Sequence, residues 1–277
     1  MADDMRILSN LFDRRTFTLF VKYISIFIKI DFIYRVDFAL RWFGYPARLL
    51  IAYLLWRYLA TVNEDISANL NEIIVYYVFA LFLSQLFSFI RLSRNIREEI
   101  YGGDIVIYAV RAVPHWLTHY ARMIASVGVN ALFASPAIVL IAFVLTGVSP
   151  TFVGFVWFVV FFLIGITITF QIYYILGLTT FFIEEIVGTL QLYQMIGNFM
   201  GGVYLPLQFF PPMLTTISVY LPFRYWVYLP ARAMSTPPTF IEGASMTIIG
   251  VIWVVVLQAV IAWEWKKGWM HYSGHSI

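Results

Sequence analysis

Residues 201–232 read GGVYLPLQFFPPMLTTISVYLPFRYWVYLPAR, a stretch that is apolar and yet crowded with prolines. The five prolines are Pro206, Pro211, Pro212, Pro222 and Pro230. Proline removes a backbone donor and breaks helices, and at membrane depth broken backbone persists only where protein or a water-filled cavity buries it. The stretch therefore predicts a re-entrant or interfacial hairpin between two membrane spans, and it is the best candidate for a gate.

The composition is that of an integral membrane protein. Hydrophobic residues make up 61% of the 277-residue chain and charged residues only 12%, against about 25% charged in a typical soluble domain. The absence of cysteine excludes disulfides, thiolate zinc sites and cysteine nucleophiles. A formal charge of +3, scattered along the chain, does not favour nucleic acid as a partner. The lipid bilayer is the predicted environment.

Six segments are long and apolar enough to cross a bilayer, which needs about 20 apolar residues per helix. They are residues 38–60, 73–92, 123–147, 152–174, 186–205 and 244–265. We therefore predict an all-α polytopic protein that forms one membrane domain over residues 1–277, with an external re-entrant segment at 206–232 between spans five and six.

Residues 11–34 precede these spans and have a narrow polar stripe. Thr18, Lys22, Ser25 and Lys29 recur three or four residues apart and share one helical face. This pattern predicts an amphipathic helix at the bilayer surface. The alternative is a poor first span, which two lysines and Asp31 disfavour.

The distribution of basic residues predicts the orientation. Arginines and lysines cluster in residues 6–35, in the 91–122 loop and in the tail at Lys266 and Lys267. The 61–72 loop is acidic, which places it outside and both termini in the cytoplasm. Two features run against the pattern: the 181–188 turn carries two glutamates and no lysine, and Arg224 and Arg232 fall on the predicted outer side.

Polar residues within two predicted spans are candidates for a translocation path. Arg48 lies inside the first span, where it either binds an anionic group or holds helices together. On the fifth span, Gln191, Gln194, Asn198 and Gly201 share one face. Because Gly197 lies beside them, this face fits a packing seam as well as a path.

His115 and His119 are spaced four residues apart and share a helical face, as His271 and His275 in the tail would. Such a pair can ligate a metal, but no third ligand is evident from the sequence. We interpret His115 and His119 as surface or interface histidines near the cytoplasmic membrane edge, and we predict no metal site.

Residues 91–114 are charged at first and then broken at Gly102 and Gly103. They fit either a solvated loop or a short helix that a cytoplasmic motor grips. The four lysines follow no GxxxxGK[ST] loop, so any ATP hydrolysis would belong to another chain.

Several motifs resemble those of the type 2 ABC-transporter integral-membrane permeases, in particular a prokaryotic six-span branch. YLPLQFFPP and VYLPFRYWVYLPARAM look like that family's "P-L-x-x-[FY]-P" block followed by "L-P-F" and "P-A-R". The region from Glu98 to Pro114 is similar to its cytoplasmic "G-x-[LI]…L-x-R-P" element, although two residues separate Arg111 from Pro114. The tail EWKKGWMHYSGHS resembles its basic, aromatic ending.

The resemblance implies the membrane subunit of an exporter in the prokaryotic cytoplasmic membrane. It would pair with a second permease, identical or a paralogue, and with ABC ATPase subunits that bind ATP and Mg. This chain would hold no cofactor and would not be an enzyme, and its substrate would be amphipathic or lipid-like. The main alternative is an ion-gradient-driven secondary transporter.

The resemblance also implies roles for particular residues. The 91–114 loop would couple to the ATPase through Arg97, Glu98, Glu99, Gly102, Gly103 and Asp104. The path would be lined by Arg48, Gln85, Gln191, Gln194, Asn198 and Gly201. The external gate would consist of Pro206, Pro211, Pro212, Pro222, Arg224 and Pro230.

Overall fold

A computed structural model describes residues 14–33, 35–87, 89–110 and 113–274. Over these residues the chain is helical with short connections, and no strand occurs among them. The α-helices are α1 Arg14–Ile33, α2 Arg35–Val62, α3 Glu64–Ala68, α4 Leu70–Leu86, α5 Ile90–Tyr101, α6 Ile107–Val110, α7 His115–Thr146, α8 Phe152–Leu178, α9 Val187–Met200, α10 Pro212–Tyr220, α11 Tyr228–Ser235 and α12 Phe240–Gly274. This agrees with the predicted all-α class.

Four helical segments of the described residues are long and apolar enough to cross a membrane. They are Leu70–Tyr101, His115–Thr146, Phe152–Phe181 and Phe240–Tyr272. The first of these segments includes both α4 and α5. The other two predicted spans fall on α2, which has 28 residues with Pro46 inside it, and on α9. The six-span count stays a prediction.

The predicted span at 186–205 is longer than the helix found there. The helix α9 has 14 residues, or about 21 Å, and ends at Met200. Gly202 follows with φ of 81°, in the left-handed region that favours glycine. The chain therefore turns before it has covered the length of a full span.

The helix α4 is the centre of the packing. Every residue from Ile73 to Leu83 is buried, and α4 packs against α2, α7 and α11. Its sequence has no polar face, as expected for a helix surrounded by other helices. The helix α8 forms a second centre, since α5, α11 and α12 all pack on it.

Contacts between loops define two opposite ends of the bundle, which we call the upper and lower ends. At the upper end, the Thr236 hydroxyl donates to the Glu72 carboxylate at 3.2 Å, and Gly154 abuts Ala233. At the lower end, Arg97 pairs with Glu185, and the Phe181 ring contacts those of Trp265 and Tyr272. The four long segments run between these two ends.

The proline-rich stretch dips into the bundle from the upper end. After α10, the chain reaches Tyr225, whose carbonyl lies against Gly165, midway along the 27-residue α8. The helix α11 then returns to Ala233, beside Gly154 in the first turn of α8. We call residues 206–235 the re-entrant segment. Its second half, residues 222–235, packs against α4 and α8, which protects the backbone at the buried Pro222 and Pro230.

The amphipathic helix predicted at 11–34 corresponds to α1. Residues 11–13 lie outside the described residues, as does residue 34. Thr18, Lys22, Ser25 and Lys29 are all exposed, while α1 packs on α7, and the Arg122 guanidinium lies over the Phe27 ring. The polar stripe thus faces away from the bundle.

Candidate functional site

A cavity of about 830 Å³ lies among α2, α4, α5, α7 and α9. Its apolar wall includes Trp42, Ile51, Leu55 and Trp56 of α2 and Leu81 of α4. Its polar lining includes Arg48, Arg91 and Arg122, with Gln85, Asn95, His119, Asn130, Gln194 and Asn198. Among the described residues that line it, there are three arginines and no carboxylate. A cavity of this size, with both apolar walls and convergent polar groups, is typical of a ligand site.

Arg48 links two helices and lines the cavity at the same time. Its Nη2 donates to Oε1 of Gln85 on α4 at 2.7 Å, and its Nε donates to the Gly44 carbonyl at 3.4 Å. The bond to Gln85 is the interhelical contact of one interpretation, and the binding of an anionic group stays a prediction. The guanidinium holds α2 against α4, and it also faces the cavity.

The predicted polar face of α9 divides into three environments. Gln194 and Asn198 line the cavity, whereas Gln191 is exposed and does not line it. Gly197 and Gly201 are buried against Trp226 of the re-entrant segment. The Gly197-xxx-Gly201 pair is thus a packing seam within the chain, because any side chain at 197 would overlap the Trp226 ring.

The residues predicted to form the external gate all lie in or beside the re-entrant segment. Pro206, Pro222 and Pro230 are buried, while Pro211 and Pro212 are exposed at the start of α10. Proline suits the first turn of a helix, where its missing N–H has no intrahelical partner to lose. Arg224 is buried and its Nη1 donates to the Val219 carbonyl at 3.3 Å.

The residues predicted for coupling lie at the lower end, on α5 and the turn that follows. Arg97 Nε donates to the Glu184 carbonyl at 3.1 Å, and its Nη2 lies 3.5 Å from the Glu185 carboxylate. Glu98 is exposed, as are Gly102 and Asp104. Gly103 has φ of 79°, which lets the chain turn sharply after α5.

Glu99 differs from its neighbour because it faces the bundle. Its Oε2 lies 2.7 Å from His115 Nε2 and 3.0 Å from His119 Nε2. The two histidines are only 3% and 4% exposed, so the surface alternative in their interpretation as surface or interface histidines was wrong. The helix α5 presents Ser93, Ile96 and Ile100 to the bundle, and Glu99 lies next to this buried face.

The sequence could not have paired Glu99 with the histidines from local spacing. Glu99 precedes His115 by 16 residues, and the glycine-broken turn lies between them. Among other site residues that sequence reasoning missed are Arg91, Arg122, Asn95 and Asn130, which line the cavity. The only sequence signal of these residues is their helical spacing, which indicates the face of the helix on which each lies. It does not indicate which other helices pack against that face.

This combination of long apolar helices, a re-entrant segment and an internal polar cavity defines a multi-pass membrane protein with a ligand-sized chamber. Over residues 47–276 the sequence matches the family described as "ABC-2 family transporter protein", and the chain belongs to that family. The resemblance drawn from the proline-rich motifs is thereby confirmed. Members of this family are membrane components of transporters and are not themselves catalytic. No curated protein matches the chain.

Proposed function

We propose that this chain is the permease subunit of an ATP-driven exporter in the cytoplasmic membrane of a prokaryote. Two such subunits, identical or paralogous, would form the path together with ABC ATPase subunits that bind ATP and Mg²⁺. The family membership supports a transport role, and the absence of a phosphate-binding loop from the sequence supports hydrolysis on a separate chain.

The cavity is the observation that carries this proposal. Apolar walls from α2 would hold the body of an amphipathic or lipid-like substrate, and Arg48, Arg91 and Arg122 favour a substrate with an anionic group. A cation at membrane depth is costly unless it pairs with an opposite charge or polar groups. Gln85 already accepts from Arg48, which leaves the guanidinium positioned for a substrate anion.

The helix α5 offers a mechanical connection between the ATPase and the cavity. Asn95 and Arg91 of α5 line the cavity, while Arg97, near its end, contacts the turn before α9. An ATPase that pushes the 91–114 loop would displace α5 and α9 together. Because both helices border the cavity, such a push would change the shape of the chamber, as alternating access requires.

The re-entrant segment would close the chamber on the outer side. Val203 and Tyr204, just before it, line the cavity, and the Tyr76 and Tyr77 hydroxyls donate to the carbonyls of Gly202 and Tyr204 at 2.7 and 2.9 Å. Breaking these two bonds would release the turn from α4. The proposed orientation places this segment outside and both termini in the cytoplasm.

Reconstitution tests the proposal. The complex of this chain with its ATPase, in proteoliposomes that contain an amphiphile with an anionic headgroup, should move that amphiphile only when ATP and Mg²⁺ are present. Zwitterionic and cationic amphiphiles of the same chain length serve as comparisons. Movement that needs an ion gradient and no nucleotide would contradict the proposal and favour a secondary transporter.

Glu98→Gln tests the coupling role of the exposed lower end. We expect the variant to assemble and hydrolyse ATP while moving less amphiphile per ATP. The matched control is Glu64→Gln, which alters an exposed carboxylate near the upper end. Equal transport by the two variants would remove Glu98 from the coupling path.

A further inference from the structure

Three side-chain atoms from two helices meet at one point near the lower end. Oε2 of Glu99 lies 2.7 Å from His115 Nε2 and 3.0 Å from His119 Nε2, and the two nitrogens are 3.2 Å apart. The histidine side chains are 1% and 4% exposed, and that of Glu99 is 23% exposed. The transport role uses none of these three contacts.

While Glu99 is ionised, hydrogen bonds cannot link all three atom pairs at once. If both Nε2 atoms donate to the same carboxylate oxygen, the two nitrogens, 3.2 Å apart, have no hydrogen bond to each other. If one nitrogen is unprotonated, its contact with the carboxylate brings two acceptors together. A single cation at the centre would instead receive a lone pair from each of the three atoms.

The surroundings of His115 orient it as a metal ligand. Its Nδ1 lies 2.6 Å from the Tyr174 hydroxyl, so Nδ1–H can donate to that oxygen and leave the Nε2 lone pair for a metal. Ligating histidines commonly donate their other ring N–H to such a partner. Trp265 stacks on the same ring with centroids 5.1 Å apart, and Tyr108 packs edge-on at 4.5 Å.

We propose that Glu99, His115 and His119 bind one divalent transition-metal ion, with Zn²⁺ as the ion that this donor set favours. Two imidazoles and one carboxylate form a zinc site that keeps a fourth position open. Tetrahedral zinc bonds of about 2.0–2.2 Å place their donor atoms about 3.3–3.6 Å apart, so the three separations of 2.7, 3.0 and 3.2 Å would widen when the ion binds. His119 also lines the cavity, from which water can reach the fourth position.

The ion would fasten two helices across the proposed coupling loop. Glu99 lies near the end of α5, and the histidines lie in the first two turns of α7. The metal would hold the end of α5 against the start of α7. This metal site does not depend on the transport proposal. Metal binding and substrate movement are measured in separate experiments, so one can fail without the other.

Zinc binding by the purified full-length chain tests the proposal. After chelator treatment, Zn²⁺ is titrated in competition with a chromophoric chelator. We expect one tightly bound Zn²⁺ per chain. Loss of a supporting outer-shell group costs roughly 10–100-fold in metal affinity. Tyr174→Phe should weaken Zn²⁺ binding by about that factor. Glu99→Gln and His119→Asn, which remove ligands, should weaken it by more.

The double variant His271→Ala/His275→Ala is the matched control, because these residues have the same four-residue spacing in the tail. It should bind Zn²⁺ as tightly as the unmodified chain. If the cluster variants fail to fold, the X-ray absorption spectrum of the Zn²⁺-loaded control variant still decides the matter. It should show two imidazoles and one carboxylate on the ion.

Three outcomes would overturn the proposal. The first is no stoichiometric Zn²⁺ on the unmodified chain, which would leave a proton-sharing histidine pair. The second is affinity unchanged in Glu99→Gln and His119→Asn. The third is a Zn²⁺ spectrum without imidazole in the control variant. None of these outcomes would affect nucleotide-dependent transport, so failure of the metal site is distinguishable from failure of the exporter proposal.

Discussion

At the scale of single residues, the adjacent glutamates of α5 have different environments. Glu98 is exposed, whereas Glu99 contacts His115 and His119. Hydrogen bonds to charged groups contribute about 1.5–3 kcal/mol to the free energy of unfolding. Substitutions of surface residues usually change that free energy by no more than about 0.5 kcal/mol. In metal-free protein in detergent, we expect Glu99→Gln to lower the melting temperature clearly and Glu98→Gln to leave it nearly unchanged. Equal melting temperatures would contradict the inward contact of Glu99.

Arg48 supports a second prediction, on ligand charge. Arg48→Met removes a cation from the cavity but keeps most of the apolar side chain, so we expect weaker binding of a brominated alkyl carboxylate. Binding is followed by quenching of tryptophan fluorescence, since Trp42 and Trp56 line the cavity. A zwitterionic brominated amphiphile of the same length should bind both forms alike.

Arg57→Met is the matched control for Arg48→Met. Arg57 is on the same helix, is exposed, and donates to the Tyr53 hydroxyl at 3.1 Å. It does not line the cavity. We therefore expect Arg57→Met to bind the carboxylate like the unmodified chain. Equal losses in the two variants would point to a general charge effect on the micelle and would contradict a role for Arg48 in the cavity.

Residue patterns predicted the cavity only in part. Arg48, Gln85, Gln194 and Asn198 were expected on a path, and they line one chamber. Gln191 shares their periodicity and yet is exposed, because α9 borders the chamber only in its second half. Helical spacing identifies residues on one face of a helix. It does not identify what packs against that face, which depends on contacts distant in sequence.

At the scale of elements, the re-entrant segment shows what sequence can and cannot determine. Its prolines predicted that continuous helix is interrupted from residue 206 onward, whereas α9 already ends at Met200. The sequence did not predict which residue packs against Gly197 and Gly201. That residue is Trp226, which follows α10 and is distant in sequence from both glycines. The Trp226 ring stacks with that of Tyr193 on α9, with 11° between the ring planes. The helix α9 is therefore packed against the re-entrant segment.

A substitution at Gly165 tests the contact between the re-entrant segment and α8. A Cβ at this position would overlap the Tyr225 carbonyl oxygen, which belongs to the backbone and cannot rotate away. Overpacking of this kind costs about 1–3 kcal/mol. We expect Gly165→Ala to lower the melting temperature in detergent by moving the segment off α8.

Gly128→Ala is the control for Gly165→Ala. Gly128 lies inside α7, and nothing occupies the space around its missing Cβ within 4 Å. Alanine favours helix over glycine by about 1 kcal/mol, so this variant should be neutral or more stable. A Gly165→Ala protein as stable as Gly128→Ala would show that Tyr225 does not lie against α8.

At the scale of the whole molecule, the contacts separate the loops into two sets. Residues 63–72, 147–154 and 233–240 belong to the upper end. Residues 97–110, 113–115, 179–187 and 265–274 belong to the lower end. Arg97 of the 91–122 loop and Lys266 and Lys267 of the tail therefore lie at the same end. Charge distribution predicted this grouping, because it reflects orientation across the whole bundle and does not require any particular contact.

The absence of cysteine makes the orientation directly measurable, since a single introduced cysteine reports one site. Asp65→Cys and Ser149→Cys are exposed positions at the upper end, and Asp104→Cys and Glu184→Cys are exposed positions at the lower end. In right-side-out vesicles, a membrane-impermeant maleimide should label the first pair directly and the second pair only after permeabilisation. The reverse pattern would invert the proposed orientation and place the Arg97–Glu185 contact outside, away from any cytoplasmic ATPase. Direct labelling of one member from each pair would contradict the separation of the two ends by the bilayer.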